Sequence, residues 1–161
     1  MARDESEAER LDRNFDDLLQ ELRVSQNGTQ ILFAFLLTVP FSNGFQKVTS
    51  FQRGVYFTAL LLAGMSAAML IAPAAMHRTL FRRGLKKQLV HAATRVTLVG
   101  QIILIGAVAT SVFLIGDYLY NHAVATILGL AMAAYWSLWF FVLPLRIRQR
   151  HPEEPETTSS T

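Results

Sequence analysis

The amino-acid sequence predicts an all-α membrane protein with four transmembrane helices plus an N-terminal cytoplasmic amphipathic helix. The first observation is segregated charge: no charged residue falls within 24–46, 54–76, 96–116 or 118–145. A helix needs roughly 20 apolar residues to cross a bilayer core of about 30 Å, so each gap is long enough. A helix on a soluble core keeps a polar face, and these stretches lack one. The second observation is where the basic residues collect, and the third is a helical apolar stripe at the N-terminus.

Residues 1–26 read as the amphipathic helix. Ser6 and Glu9 form a capping-box pair, and Ala8, Leu11, Phe15, Leu18 and Leu22 recur at helical spacing, broadened by Leu19. The other faces are charged, with eight acids against four bases in residues 1–23. One striped helix of this length cannot bury a core alone. Its net negative charge also disfavours anionic lipid. The basic central loop is the complementary surface, on its own chain or a partner's, with an interfacial position held by Leu and Phe alone as the alternative, and Gln26-Asn27-Gly28 is the expected bend that brings the helix to that loop.

Residues 27–148 then form the four-helix transmembrane bundle, with spans at about 29–46, 54–76, 96–116 and 122–145. Pro40 and Ser42-Asn43-Gly44 end the first span, and Thr49 with Gln52 is suited to cap the second. Residues 77–95 read as a helical hairpin turning at Gly84. Pro152 and Pro155, amid Glu, Ser and Thr, mark 149–161 as a disordered tail.

Lys and Arg concentrate on the cytoplasmic side of membrane proteins. The hairpin carries Arg78, Arg82, Arg83, Lys86, Lys87 and Arg95 without an acid. With both chain ends it holds 13 basic residues, against two (Lys47 and Arg53) in the opposite loops. Both termini and the hairpin are therefore expected in the cytoplasm. Tyr118, Tyr120, Tyr135, Trp136 and Trp139 fall near span ends, as do Phe45, Phe51, Tyr56 and Phe57, where aromatic residues favour the membrane boundary. No cleavable signal peptide is expected ahead of the first span. With no cysteine, disulfide and thiol chemistry are excluded from the sequence as given.

Ionisable groups inside a membrane are costly and default to functional candidates. Asp117 is the sole acid between Glu21 and Glu153, with His122 in the same outer turn. One acid and one His are too few for a tetrahedral metal site, so no metal or cofactor is expected. Gln101, with Thr97 one turn before it, and Gln30 are the intramembrane polar candidates, and an interhelical hydrogen bond is the ordinary role of such residues. Small residues in the spans (Ala63, Gly64, Ala67 and Ala68; Gly106 and Thr110; Gly129 and Ala133) suit close helix packing, within the chain or between copies. No HExxH, P-loop, GxGxxG or GxSxG pattern occurs, so enzyme function is not expected.

The blocks NFDDLLQELRVSQNGTQILFAFLLTVPF, FQRGVYFTALLLAG and LIAPAAMHRTLF resemble an uncharacterised family of short four-span membrane proteins from high-GC Gram-positive bacteria. The similarity runs from about Glu9 to Arg148. Members often carry an automatic label of sodium:proton antiporter, so the resemblance implies a bacterial inner-membrane protein and ion transport. The family has no established functional residues to carry over. Exchange of Na⁺ for H⁺ needs a titratable group near the bilayer midplane. The midplane falls near Leu36, Met65, Gly106 and Ala131, with no acid within ten residues of any of them. The residues therefore favour a non-enzymatic scaffold, assembly or regulatory subunit, with a small oligomeric transporter as the alternative. The expected partners are the lipid bilayer and either further copies or another membrane protein. Nucleic acid is not expected, because the basic residues are accounted for by the membrane flanks.

Overall fold

The computed structural model describes residues 7–80, 86–143 and 146, and the side chains of 7–12, 14–16, 21 and 77–89 lie outside the description. Helix α1 spans Glu7–Thr38, α2 Ser50–Leu80, α3 Lys86–Leu119 and α4 His122–Ser137, the last continuing as a π-helical turn over Leu138–Val142. Short 3₁₀ turns at Val39–Phe41 and Phe45–Lys47 join α1 to α2. No strand occurs among the described residues.

Among the described residues three helices are long and apolar enough to cross a membrane, over Ser50–Met76, Val90–Leu119 and His122–Val142. They bury only 28%, 22% and 11% of their apolar windows within the chain, so most of that surface faces outward and suits lipid. The fourth expected span differs. Its helix stops at Thr38 rather than continuing toward residue 46. Pro40 and the Ser42-Asn43-Gly44 run break it there, and Ser25 to Gln30 are polar at its other side.

The bend expected at Gln26-Asn27-Gly28 is absent, and α1 passes through it as helix. Two contacts explain why. Thr29 Oγ1 donates to the Ser25 carbonyl at 2.8 Å, and Gln26 Nε2 donates to the Leu70 carbonyl at 2.7 Å. Pro73 has no N–H for the Met69 carbonyl, yet α2 continues through it. Gln26 bonds one residue beyond the Met69 carbonyl, at Leu70. A glycine inside a helix costs only about 1 kcal/mol, which such anchoring offsets.

Neighbouring helices run antiparallel. Leu18 and Leu19 of α1 pack with Met76 and Val90 around buried Ala93, and Leu22 is fully buried beside them. The described part of the stripe, Leu18, Leu19 and Leu22, therefore lies on the chain's own α2 and α3, and Ala8, Leu11 and Phe15 have side chains outside the described residues. Of the basic surface named above, Arg95 is exposed, whereas Arg78, Arg82, Arg83, Lys86 and Lys87 have side chains outside the described residues. The turn at Gly84, the Ser6 cap and the tail from 149 onward lie outside them too.

At the opposite end, Leu36, Tyr56, Ala59, Ala63 and Ala107 form the buried core of α1, α2 and α3. Tyr56 is not at the lipid boundary as its position suggested. It is buried, and its hydroxyl donates to the Leu36 carbonyl at 2.9 Å. That carbonyl would ordinarily accept from the residue four ahead, which is Pro40 and has no N–H to give. Some of the small residues serve packing inside the chain: Ala63 is buried, and a side chain on Gly64 or Gly129 would press on Phe33 or on the Ala109 carbonyl, whereas Ala68 is exposed. Ser66 Oγ donates to the Gly100 carbonyl at 2.8 Å, joining α2 to α3.

Gly28 lies in open helix with no atom within 4 Å of an added Cβ. Gly28→Ala is expected to raise stability by about 0.5–1 kcal/mol, read as a higher unfolding midpoint in a detergent titration. A loss of stability would mean that the chain bends there.

Candidate functional site

The polar residues of the chain come together most densely where α2 begins, α3 ends and α4 begins. Thr49 and Gln52 cap α2 reciprocally, as their spacing predicts. Thr49 N donates to Gln52 Oε1 at 3.0 Å, and Gln52 N donates to Thr49 Oγ1 at 3.2 Å. This fixes the Gln52 amide with its Nε2 directed at α3, where it donates to Asp117 Oδ2 at 3.0 Å. The other carboxylate oxygen, Oδ1, meets Nδ1 of His122. Both oxygens are thus occupied, by groups from two other helices.

Burial divides the pair. The Asp117 side chain is 5% exposed and that of His122 is 67% exposed, so the acid is inside and the imidazole meets the outside. The His122 ring lies against Phe51 at 4.9 Å between centroids and against Phe113 at 6.0 Å. These rings hold it over the carboxylate. Asn121 caps α4 through its Oδ1, which accepts from Val124 N at 3.0 Å, and this sets His122 as the first residue of the helix. An acid near the C-terminal end of its own helix is poorly placed for the helix dipole. Here the N-terminal ends of α2 and α4 lie beside it and reverse that field.

Chemically, the cluster can engage one hydrogen-bonded guest at the bundle end. Ser111, the next hydroxyl down α3, donates to the Ala107 carbonyl of its own helix at 2.8 Å. Among the described residues no group of three or more His, Cys, Asp or Glu is placed to hold a metal ion.

The other candidates lie apart from this cluster. Gln30 is exposed on α1. Gln101 and Thr97 sit together near the hairpin end, lining a separate cleft with Ser25. The sequence reading identified Asp117 and His122 and also the Thr49–Gln52 cap, but not that Gln52 serves both. Its position three residues after Thr49 announces the cap, whereas the bond to Asp117 spans 65 residues and has no local signal. Gly116 was missed as well. It is buried, and a Cβ there would stand 2.9 Å from the Ala125 Cα. Its bare backbone lets α4 come close enough for His122 to reach Asp117.

Gly116→Ala tests that packing. Helix propensity alone favours alanine by about 1 kcal/mol, but overpacking against backbone typically costs about 1–3 kcal/mol. A net loss of stability is expected in a detergent unfolding titration, and a gain would show that α3 and α4 are not in contact at this level.

No curated protein and no solved structure matches the chain. Residues 4–144 match the model of a family of unknown function, DUF6328, and this chain belongs to that family.

Proposed function

We propose that the protein is a non-enzymatic, four-span subunit of the bacterial inner membrane that scaffolds, assembles or regulates another membrane component. In this reading both termini and the 77–95 hairpin are cytoplasmic, and the protein works as a homo-oligomer or beside a membrane-protein partner. The four-span reading draws support from the length of α1 that lies along α2. Leu18 packs near Met76, Gln26 bonds at Leu70, Phe33 faces Gly64 and Leu36 meets Tyr56. A helix lying along one that is itself able to cross the bilayer is drawn across with it. Its polar Ser25–Gln30 stretch then falls partly against the bundle, where Gln26 and Thr29 have partners.

One observation carries the functional reading. The sole acid between Glu21 and Glu153 has both oxygens committed to Gln52 and His122 at the end of the bundle. Asp117 is 11 residues beyond Gly106, or about 16 Å along the helix at about 1.5 Å per residue. A carboxylate so far from the midplane and so fully engaged is an architectural group. The alternative, a small ion or solute transporter, draws on the same Asp117–His122 pair, whose imidazole is open to the outside.

Proteoliposomes loaded with a pH dye separate the two. On a sodium gradient, no proton flux above protein-free vesicles is expected. Sodium-driven flux that disappears in Asp117→Asn would establish the transporter instead.

A further inference from the structure

A second polar feature lies at the hairpin end of the bundle, away from Asp117. A cleft of about 310 Å³ is lined by Leu18, Leu22 and Ser25 of α1, Thr97 and Gln101 of α3, and Trp139 and Phe140 of the π turn. Thr97 is 6% exposed, and its Oγ1 is the one buried side-chain polar atom among the described residues that finds no hydrogen-bond partner. A threonine in a helix usually returns its hydroxyl to the carbonyl four residues back. Thr29, Thr58, Thr94 and Thr126 all do so here. Thr97 does not. A buried hydroxyl left unpaired costs about 1–3 kcal/mol, so it marks a place for a missing partner.

The cleft wall is irregular for a reason in the backbone. Leu138–Val142 form a π-helical turn, and such turns occur frequently at functional sites because they shift the register of the side chains that follow. Trp139 and Phe140 lie in this turn, and each is braced one turn back. Tyr135 meets Trp139 edge-on at 6.3 Å, and Trp136 stacks on Phe140 at 5.4 Å. Both walls stay partly exposed, Trp139 by 54% and Phe140 by 38%, so the cleft is reached from the outer surface of the bundle.

The lining fixes the chemistry of its guest. None of the described lining residues is charged, and an ionic group meeting them would lose water without gaining a counter-charge. Thr97, Ser25 and Gln101 offer acceptors as well as donors, a pattern that a hydroxyl matches and a bare ester does not. The remaining lining is Leu and aromatic, which suits a hydrocarbon chain. Depth agrees: Thr97 is about 11 Å from the middle of the Val90–Leu119 stretch at about 1.5 Å per residue, against about 15 Å for half a bilayer core. That is the approach to the level of lipid glycerol groups. We propose that this cleft binds the hydroxyl-bearing, uncharged head of a neutral glycerolipid of the diacylglycerol type, held by Thr97 and Gln101 between α1 and the π turn.

Trp139 reports on occupancy directly. The chain has two tryptophans, so Trp136→Phe leaves Trp139 as the only one and preserves an aromatic stack on Phe140. The full chain in phosphatidylcholine nanodiscs is titrated with dibrominated diacylglycerol to a few mole per cent. Dibrominated phosphatidylcholine and dibrominated phosphatidylglycerol serve as comparisons. Diacylglycerol is expected to quench Trp139 fluorescence saturably and at lower mole fraction than either phospholipid. Thr97→Val and Gln101→Leu should each weaken it about fivefold, the scale of one lost neutral hydrogen bond. Thr97→Val replaces an unpaired hydroxyl by a methyl of like shape, and an unfolding midpoint no lower than that of the parent chain certifies its fold. Quenching that rises linearly and equally for all three lipids would overturn the proposal, as would stronger quenching by the anionic lipid. Curves unmoved by both substitutions would do so as well, leaving Thr97 with nothing but a water.

Discussion

One carboxylate holds one end of this molecule together. Asp117 belongs to α3, its Oδ2 accepts from Gln52 at the start of α2, and its Oδ1 meets His122 at the start of α4. Three helix ends therefore share one charge in a place nearly closed to water. The arrangement also explains neighbouring residues that look unrelated. Gly116 lets α4 approach, Asn121 starts α4 one residue before His122, and Phe51 and Phe113 flank the imidazole. Removing Gln52 leaves an oxygen of the buried Asp117 side chain unpaired, and removing Asp117 leaves the buried Gln52 amide unpaired, which is costly out of contact with water.

The remaining architecture follows from the same demand that no buried polar group lack a partner. Pro40 deprives the Leu36 carbonyl of its helical donor, and buried Tyr56 supplies one from α2. Near Pro73, Gln26 reaches from α1 to the Leu70 carbonyl. Ser66 bonds across to Gly100 where the absence of a side chain brings α2 and α3 together. Side-chain hydroxyls and amides thus stitch the helices together, and at Leu36 one of them replaces a donor that the backbone lacks. Thr97 is the exception among the described residues, and it lies in a cleft whose wall is a π turn.

Much of this was legible in the sequence because membrane helices announce themselves by what they exclude. The charge-free runs gave α2, α3 and α4, and Pro40 with Ser42-Asn43-Gly44 gave the end of α1. The stripe of Leu18, Leu19 and Leu22 was legible as an amphipathic face, and its resting place on Met76, Val90 and Ala93 answered which surface it covers. The continuity of α1 was not legible. Gln26-Asn27-Gly28 has the local chemistry of a bend, and the contact that overrides it comes from a residue 44 positions away. Tyr56 was misread for a similar reason, since an aromatic at a span end looks the same whether it faces lipid or a carbonyl. In the Asp117 cluster, Asp117 and His122 stood out by rarity and proximity, while Gln52 had already been explained by its cap. A residue with two tasks is hard to see when the first accounts for its presence.

The central claim is that Gln52 and Asp117 act as one unit joining α2 to α3. A double-mutant cycle measures it directly, with Gln52→Ala, Asp117→Ala and the double variant compared by detergent unfolding titration. The account predicts a coupling of about 1 kcal/mol, within the range for contacting residues and for hydrogen bonds between membrane helices. Additivity to within about 0.3 kcal/mol, as for independent sites, would contradict it.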